Sequence, residues 1–193
     1  MKERTDLLRG YIADMAALER HIQGAVIRQF DDHRVRQSPD VMGMLARINQ
    51  TLEAHRRSLE SALESYGGRD GLSVLKTATT SLTGMVTGIY DRVRRNDPVS
   101  RDLRDNYTAL NLAAASYSML HTTGLALEDP DVAKLALHHL KDYTALIMEL
   151  SRMIPAVVVQ ELSEKLEGVA QSVAEQAVEN TARAWSPEEV KTL

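Results

Sequence analysis

Two histidines, two carboxylates and a tyrosine recur at helical spacing in a chain otherwise rich in Ala, Leu, Met, Glu and Arg. They are Glu19, His55, Tyr117, His139 and Asp142. Imidazoles and carboxylates together bind iron, manganese or zinc. The same groups can instead satisfy one another inside a core. Which chemistry applies depends on whether their helices bring them to one layer.

The first helix is predicted from about Thr5 to Phe30. Leu8, Ile12, Met15, Glu19, Ile22 and Val26 recur at steps of three and four, which puts Glu19 in the apolar stripe. The second opens at Ser38-Pro39-Asp40, a preferred cap followed by a favoured first-turn proline, and stops at Gly67-Gly68. His55 lies mid-stripe among Val41, Met44, Ile48, Thr51 and Leu59. Asp97-Pro98 and Asp129-Pro130 open two more helices in the same way. Their stripes read Leu103, Tyr107, Leu110, Ala114, Tyr117, His121 and Val132, Leu135, His139, Asp142, Leu146, Met153.

Antiparallel hairpins about positions 35 and 128 place Glu19 near Thr51 and Met15 near His55. They also place Tyr117 near His139 and Ala114 near Asp142, so five polar side chains approach one central layer. Two arrangements fit. Glu19, His55, His139 and Asp142 can hold a metal, with Tyr117 as neighbour. Alternatively, His139 bonds Tyr117 and Glu19 pairs with His55. The chain contains no Glu-x-x-His, the motif that builds di-iron centres in bundle cores.

A chain of 193 residues supports one substantial core. Aromatics are only 4% and strong helix formers dominate, so the expected class is all-α. Segment 69–97, with its threonines, Gly84 and Gly88, is expected to be the long crossover of a ferritin-like four-helix bundle, with a plain extra bundle helix as the competing reading. About 23 helical residues there would span roughly 35 Å. The bundle is expected over 1–154, with a C-terminal helical extension over 155–193. Pro155 is expected to kink or restart the chain before an amphipathic helix from Val157 to Ala184, whose apolar stripe is thin and whose outer face carries five glutamates. A stripe that thin must dock to stay helical. A second subunit is the expected surface, which makes the protein a homo-oligomer, a dimer through its C-terminal helix.

The net charge of -4 offers no electrostatic case for nucleic-acid binding. Cysteine is absent, which excludes disulfides and thiolate ligands. No run approaches the ~20 apolar residues of a membrane span, and Glu3, Asp6, Asp14 and Glu19 interrupt any signal-peptide core. A cytoplasmic protein is expected. Arg92, Arg94, Arg95, Arg101 and Arg104 cluster about the Asp97-Pro98 turn as a solvated surface or an anionic-partner patch.

The segments Leu52-Glu-Ala-His55-Arg-Arg-Ser-Leu59-Glu60 to Tyr66-Gly-Gly68, and Tyr107 to Tyr117 with the Leu127-Glu-Asp-Pro-Asp131 turn, resemble the ferritin-like superfamily. They are most similar to small bacterial stress-associated ferritin-like proteins of unknown function. The resemblance covers about residues 5–153. It implies the bundle and crossover, puts the second-helix histidine on His55 and sets Glu19 near the first-helix acid. The remaining acids of the pattern fall on Gln50, Leu110 and Ala113.

Three functions follow as expectations. The first is a non-catalytic, ferritin-like protein of bacterial stress response, acting by self-association or partner binding without a cofactor. The second is an iron- or manganese-binding oxidase or storage-type protein with a reduced ligand set. The third is a bundle that holds an apolar ligand.

Overall fold

The computed structural model describes residues 2–67, 88–90 and 98–186. Every regular element among them is helical. In chain order these are α1 (Lys2–Gln29), α2 (His33–Arg36), α3 (Pro39–Gly67), α4 (Val99–Ala126), α5 (Pro130–Ser163) and α6 (Ser172–Ala184). The chain is all-α, as its composition implies. No described helix is long and apolar enough to cross a membrane.

Four long helices share one core built from the predicted stripes, including Ile12, Ile22, Ile48, Leu59, Leu103, Leu110 and Leu146. The packed pairs are α1 with α3, α1 with α4, α4 with α5 and α3 with α5. Side-chain contacts fix their directions. Glu19 meets His55 and Gln23 meets Asn49, so α1 and α3 are antiparallel. Gln29 meets Asn106 and Glu19 meets Tyr117, so α1 and α4 are antiparallel. Arg47 pairs with Glu149 and Tyr66 with Asp129, so α3 and α5 are antiparallel. Consequently α3 and α4 run parallel. Gly67 at the end of α3 lies against Arg9 near the start of α1, whereas α4 begins near the end of α1. The chain therefore leaves α3 at one end of the core and enters α4 at the other. The expected crossover at 69–97 lies outside the described residues except for 88–90. There Tyr90 is buried and donates to Asn106 Oδ1 at 3.0 Å.

The α4–α5 corner is set by capping and by size. Asp129 accepts from the Val132 N–H at 3.0 Å ahead of Pro130 at the first turn. A Cβ on Gly124 would sit 2.7 Å from the Ala133 nitrogen, so only glycine lets the helices approach there.

Pro155 does not end a helix. α5 runs through it to Ser163, although an interior proline costs about 3 kcal/mol. The compensation lies beyond it. Val157 and Val159 are buried, and Glu161 binds the first turn of α4. Its carboxylate accepts the Ser100 N–H at 3.1 Å and the Ser100 hydroxyl at 2.6 Å. Pro98, at the N-cap of α4, has no side-chain oxygen to offer. The helix expected over 157–184 is thus two helices, separated by a turn with Gly168 at φ 80°. α6 folds back on α5, and Trp185 comes within 6.2 Å of the Tyr107 ring. No α6 residue is fully buried.

Candidate functional site

The middle of the bundle holds a continuous hydrogen-bonded set drawn from all four long helices. Glu19 on α1 is fully buried. Its Oε1 accepts the Tyr117 hydroxyl of α4 at 2.6 Å and the His55 Nδ1–H of α3 at 3.1 Å. On the far side of the same ring, His55 Nε2 lies 3.1 Å from Asp142 Oδ2 on α5. Burial alone disfavours the His55 imidazolium. The hydrogen bonds and charges of Glu19 and Asp142 outweigh that cost and hold His55 above the usual histidine range. The ring is a cation clamped between two carboxylates, donating from both nitrogens.

His139 on α5 is the neutral counterpart. Burial, then the charges of His55 and His138, push it down to about 2. Tyr117 spends its only proton on Glu19, so His139 donates Nδ1–H to the Tyr117 oxygen at 2.9 Å. That leaves Nε2 as an acceptor. The Ser58 hydroxyl, 2.8 Å from both Nε2 and the His55 carbonyl, serves these two acceptors with one proton. The imidazoles of His55 and His139 are stacked, with centroids 3.8 Å apart and planes 8° from parallel.

Tyr143 completes the layer, its ring 5.3 Å from His55 and 5.6 Å from Tyr117. Burial and the Glu19 charge raise both phenols well above their ordinary range, so neither ionises. Glu19 Oε2 and the Tyr143 hydroxyl are buried without a partner of hydrogen-bonding geometry. Glu19 nonetheless lies close enough to the Tyr143 phenol to act on it through a side-chain hydrogen bond as well as by charge.

Of the five expected site residues, Glu19, His55, Tyr117 and His139 form this buried set. Asp142 reaches it from the edge, its side chain 40% exposed, on the wall of a cleft of about 280 Å³ that also involves Gln50 and Thr51. Spacing missed Tyr143 and Ser58. The buried stripe of α5 reads His139, Tyr143, Leu146, Leu150, and Asp142 lies on its flank. A larger cleft of about 550 Å³, between the start of α3 and the second half of α5, is lined by Arg47, Glu149 and Arg152 and lies away from the buried set.

Glu19, His55 and His139 each offer one donor atom, all within 4.8 Å of one another, so the cluster could hold a metal ion by composition and closeness. The ring geometry works against a shared ion. Imidazole lone pairs lie in the ring plane, and these planes are parallel. An ion about 2.1 Å from a nitrogen of each ring would sit outside both planes. One ring must turn, and His55 must give up a carboxylate, before both point at one centre. A two-metal centre does not fit, because the layer supplies one buried carboxylate and one at its edge. No protein-family model matches the chain, and neither does any curated protein or solved structure.

Proposed function

We propose that this chain is a ferritin-like helical bundle whose central layer is structural rather than catalytic, and that it acts through its surfaces, by self-association or partner binding. The topology supports the first half. Parallel α3 and α4, packed through antiparallel neighbours and joined across the length of the core, are what a four-helix bundle with one long crossover requires. The hydrogen bonding of the two imidazoles carries the second half. Every nitrogen of His55 and His139 has a protein partner, and the stacked rings lie in parallel planes that share no point in which both could ligate one ion. A layer organised in this way orients the helices and fixes their register.

The test is elemental analysis of protein purified without chelator and again after exposure to excess Fe(II) or Mn(II). Iron, manganese and zinc are each expected well below one ion per chain. Stoichiometric metal that disappears in Glu19→Gln would overturn the reading. It would favour a single iron or manganese ion on Glu19, His55 and His139, the alternative that the close donor atoms and the unpartnered Glu19 Oε2 support.

A further inference from the structure

From Asn106 to Leu127 the chain carries no Asp, Glu, Lys or Arg, although 26% of all its residues are charged. Half of that stretch faces the core, which explains half of the absence. The outer face has no such reason. Thr108, Asn111, Ala115, Ser118, Met119 and Thr122 point away from the core, and Met119 is 59% exposed.

The hydroxyls of this face have already used their donors. Thr108 donates to the Arg104 carbonyl at 2.9 Å, Ser118 to Ala114 at 3.2 Å and Thr122 to Ser118 at 2.9 Å. Asn111 donates to the Tyr107 carbonyl at 2.8 Å. A hydroxyl costs free energy on burial chiefly when its donor is left unpaired. These hydroxyls bond back to their own helix, so the face can be covered without that cost. α6 packs on α5, and Trp185 approaches the Tyr107 ring near the Arg104 end of α4.

The exposed charges that flank the stretch differ in sign: Arg104 at one end, Glu128 and Asp131 at the other. Arg104 has an ion pair with Asp105, which directly precedes the stretch and is mostly buried. A second copy laid antiparallel across the face puts Ala115 against Ser118 at the twofold axis and Arg104 of each chain against Glu128 of the other. Like ends would meet in a parallel pairing.

We propose that the outer face of α4 is the surface on which a second copy of this chain docks, antiparallel about a twofold axis near residues 115–118. This names the partner and surface for the association reading above and rests on that reading. A helix face about 28 Å long and about 10 Å wide offers roughly 280 Å², well short of the ~800 Å² per partner of a standard interface, so the dimer is expected to be weak and reversible.

Sedimentation of the full chain from roughly 1 µM to 1 mM is the experiment. The wild type is expected to pass from monomer to dimer. Met119→Lys, on an exposed side chain and with unchanged circular dichroism, should weaken the dimer about tenfold or more by putting a cation in the uncharged centre. Arg104→Glu and Glu128→Arg should each weaken it about tenfold, since two attractions become two repulsions. Together they should restore it to within about threefold of wild type. A dimer indifferent to Met119→Lys, or a double reversal no better than the single ones, overturns the α4 surface and leaves association by another face standing. A monomer throughout overturns both this surface and self-association itself.

Discussion

The Glu19–His55–His139 layer at the middle of the bundle and the Gln29–Asn106–Tyr90 layer near one end are both buried and both cross between helices. Only the first contains groups whose charge can change. In the end layer, Gln29 and Asn106 exchange amide hydrogen bonds at 3.3 and 2.7 Å, and Tyr90 donates to the same Asn106 oxygen. All three are neutral and each satisfies another. In the central layer the bonding works only with two stacked imidazoles in different states, His55 charged and His139 neutral. Neutral polar groups need only geometry to be tolerated inside a core. Ionisable ones need geometry and a particular protonation state, so the central layer ties the fold to solution conditions where the end layer does not.

The widest separation between the layers is expected on removing one member of each. Glu19→Ala leaves the His55 cation with a single, partly exposed acid and frees the Tyr117 hydroxyl, and should cost about 3–5 kcal/mol. Urea unfolding of the variant measures it. A loss under about 1 kcal/mol would mean that the carboxylate is not holding a charge there. Asn106→Ala strips Gln29 and Tyr90 of a shared partner and should cost about 1–3 kcal/mol. Its cost should be the same at roughly pH 5 and pH 8, since nothing in that layer titrates between them. A pH-dependent loss would erase the distinction drawn between the two layers.

The smallest expected effect is the wild-type pH profile. Unfolded, both histidines titrate near ~6.5. Below that value the unfolded pair binds one proton more than the folded pair, so the His139 contribution is lost as pH falls towards its folded value of about 2. Above it the folded pair binds one proton more, so the His55 contribution is lost as pH rises through its raised folded value. The stability supplied by this layer therefore peaks near pH ~6.5 and declines on both sides. Unfolding midpoints between about pH 5 and 8.5 are the readout. A curve that climbs steadily across the interval contradicts the assignment of one charged and one neutral ring, and Asn106→Ala should shift the curve down without changing its shape.

Periodicity carried the reading from sequence a long way where one face of a helix is buried. The stripes of α1 and α3 put Glu19 and His55 on facing surfaces, and the Pro-initiated corner placed Tyr117 opposite His139. It failed by one position on α5. Asp142 and Tyr143 are adjacent, and a stripe at steps of three and four accommodates either, so spacing alone cannot choose the aromatic that is buried over the acid at the edge. Ser58 was missed because a hydroxyl three residues after His55 reads as a helix surface residue until His139 is seen to approach it. The Gln29–Asn106–Tyr90 layer carries no local signal, since amides in helices are common and their partners are distant in sequence. Pro155 misled for a tertiary reason: the local rule against interior proline is sound, and it was overridden by burial of Val157 and Val159 and by the bond from Glu161 to Ser100.

That last bond couples the chain's far end to a helix begun some sixty residues earlier. The α4 N-terminus lacks its own cap and takes one from the end of α5, so neither end is finished until the other is in place. Tension applied at the C-terminus would first peel α6 from α5, and would then load the Glu161–Ser100 contact before it reached the core. The first of the four long helices to give way would be α4, uncapped and fraying from Val99, at the end where the long connection from α3 enters.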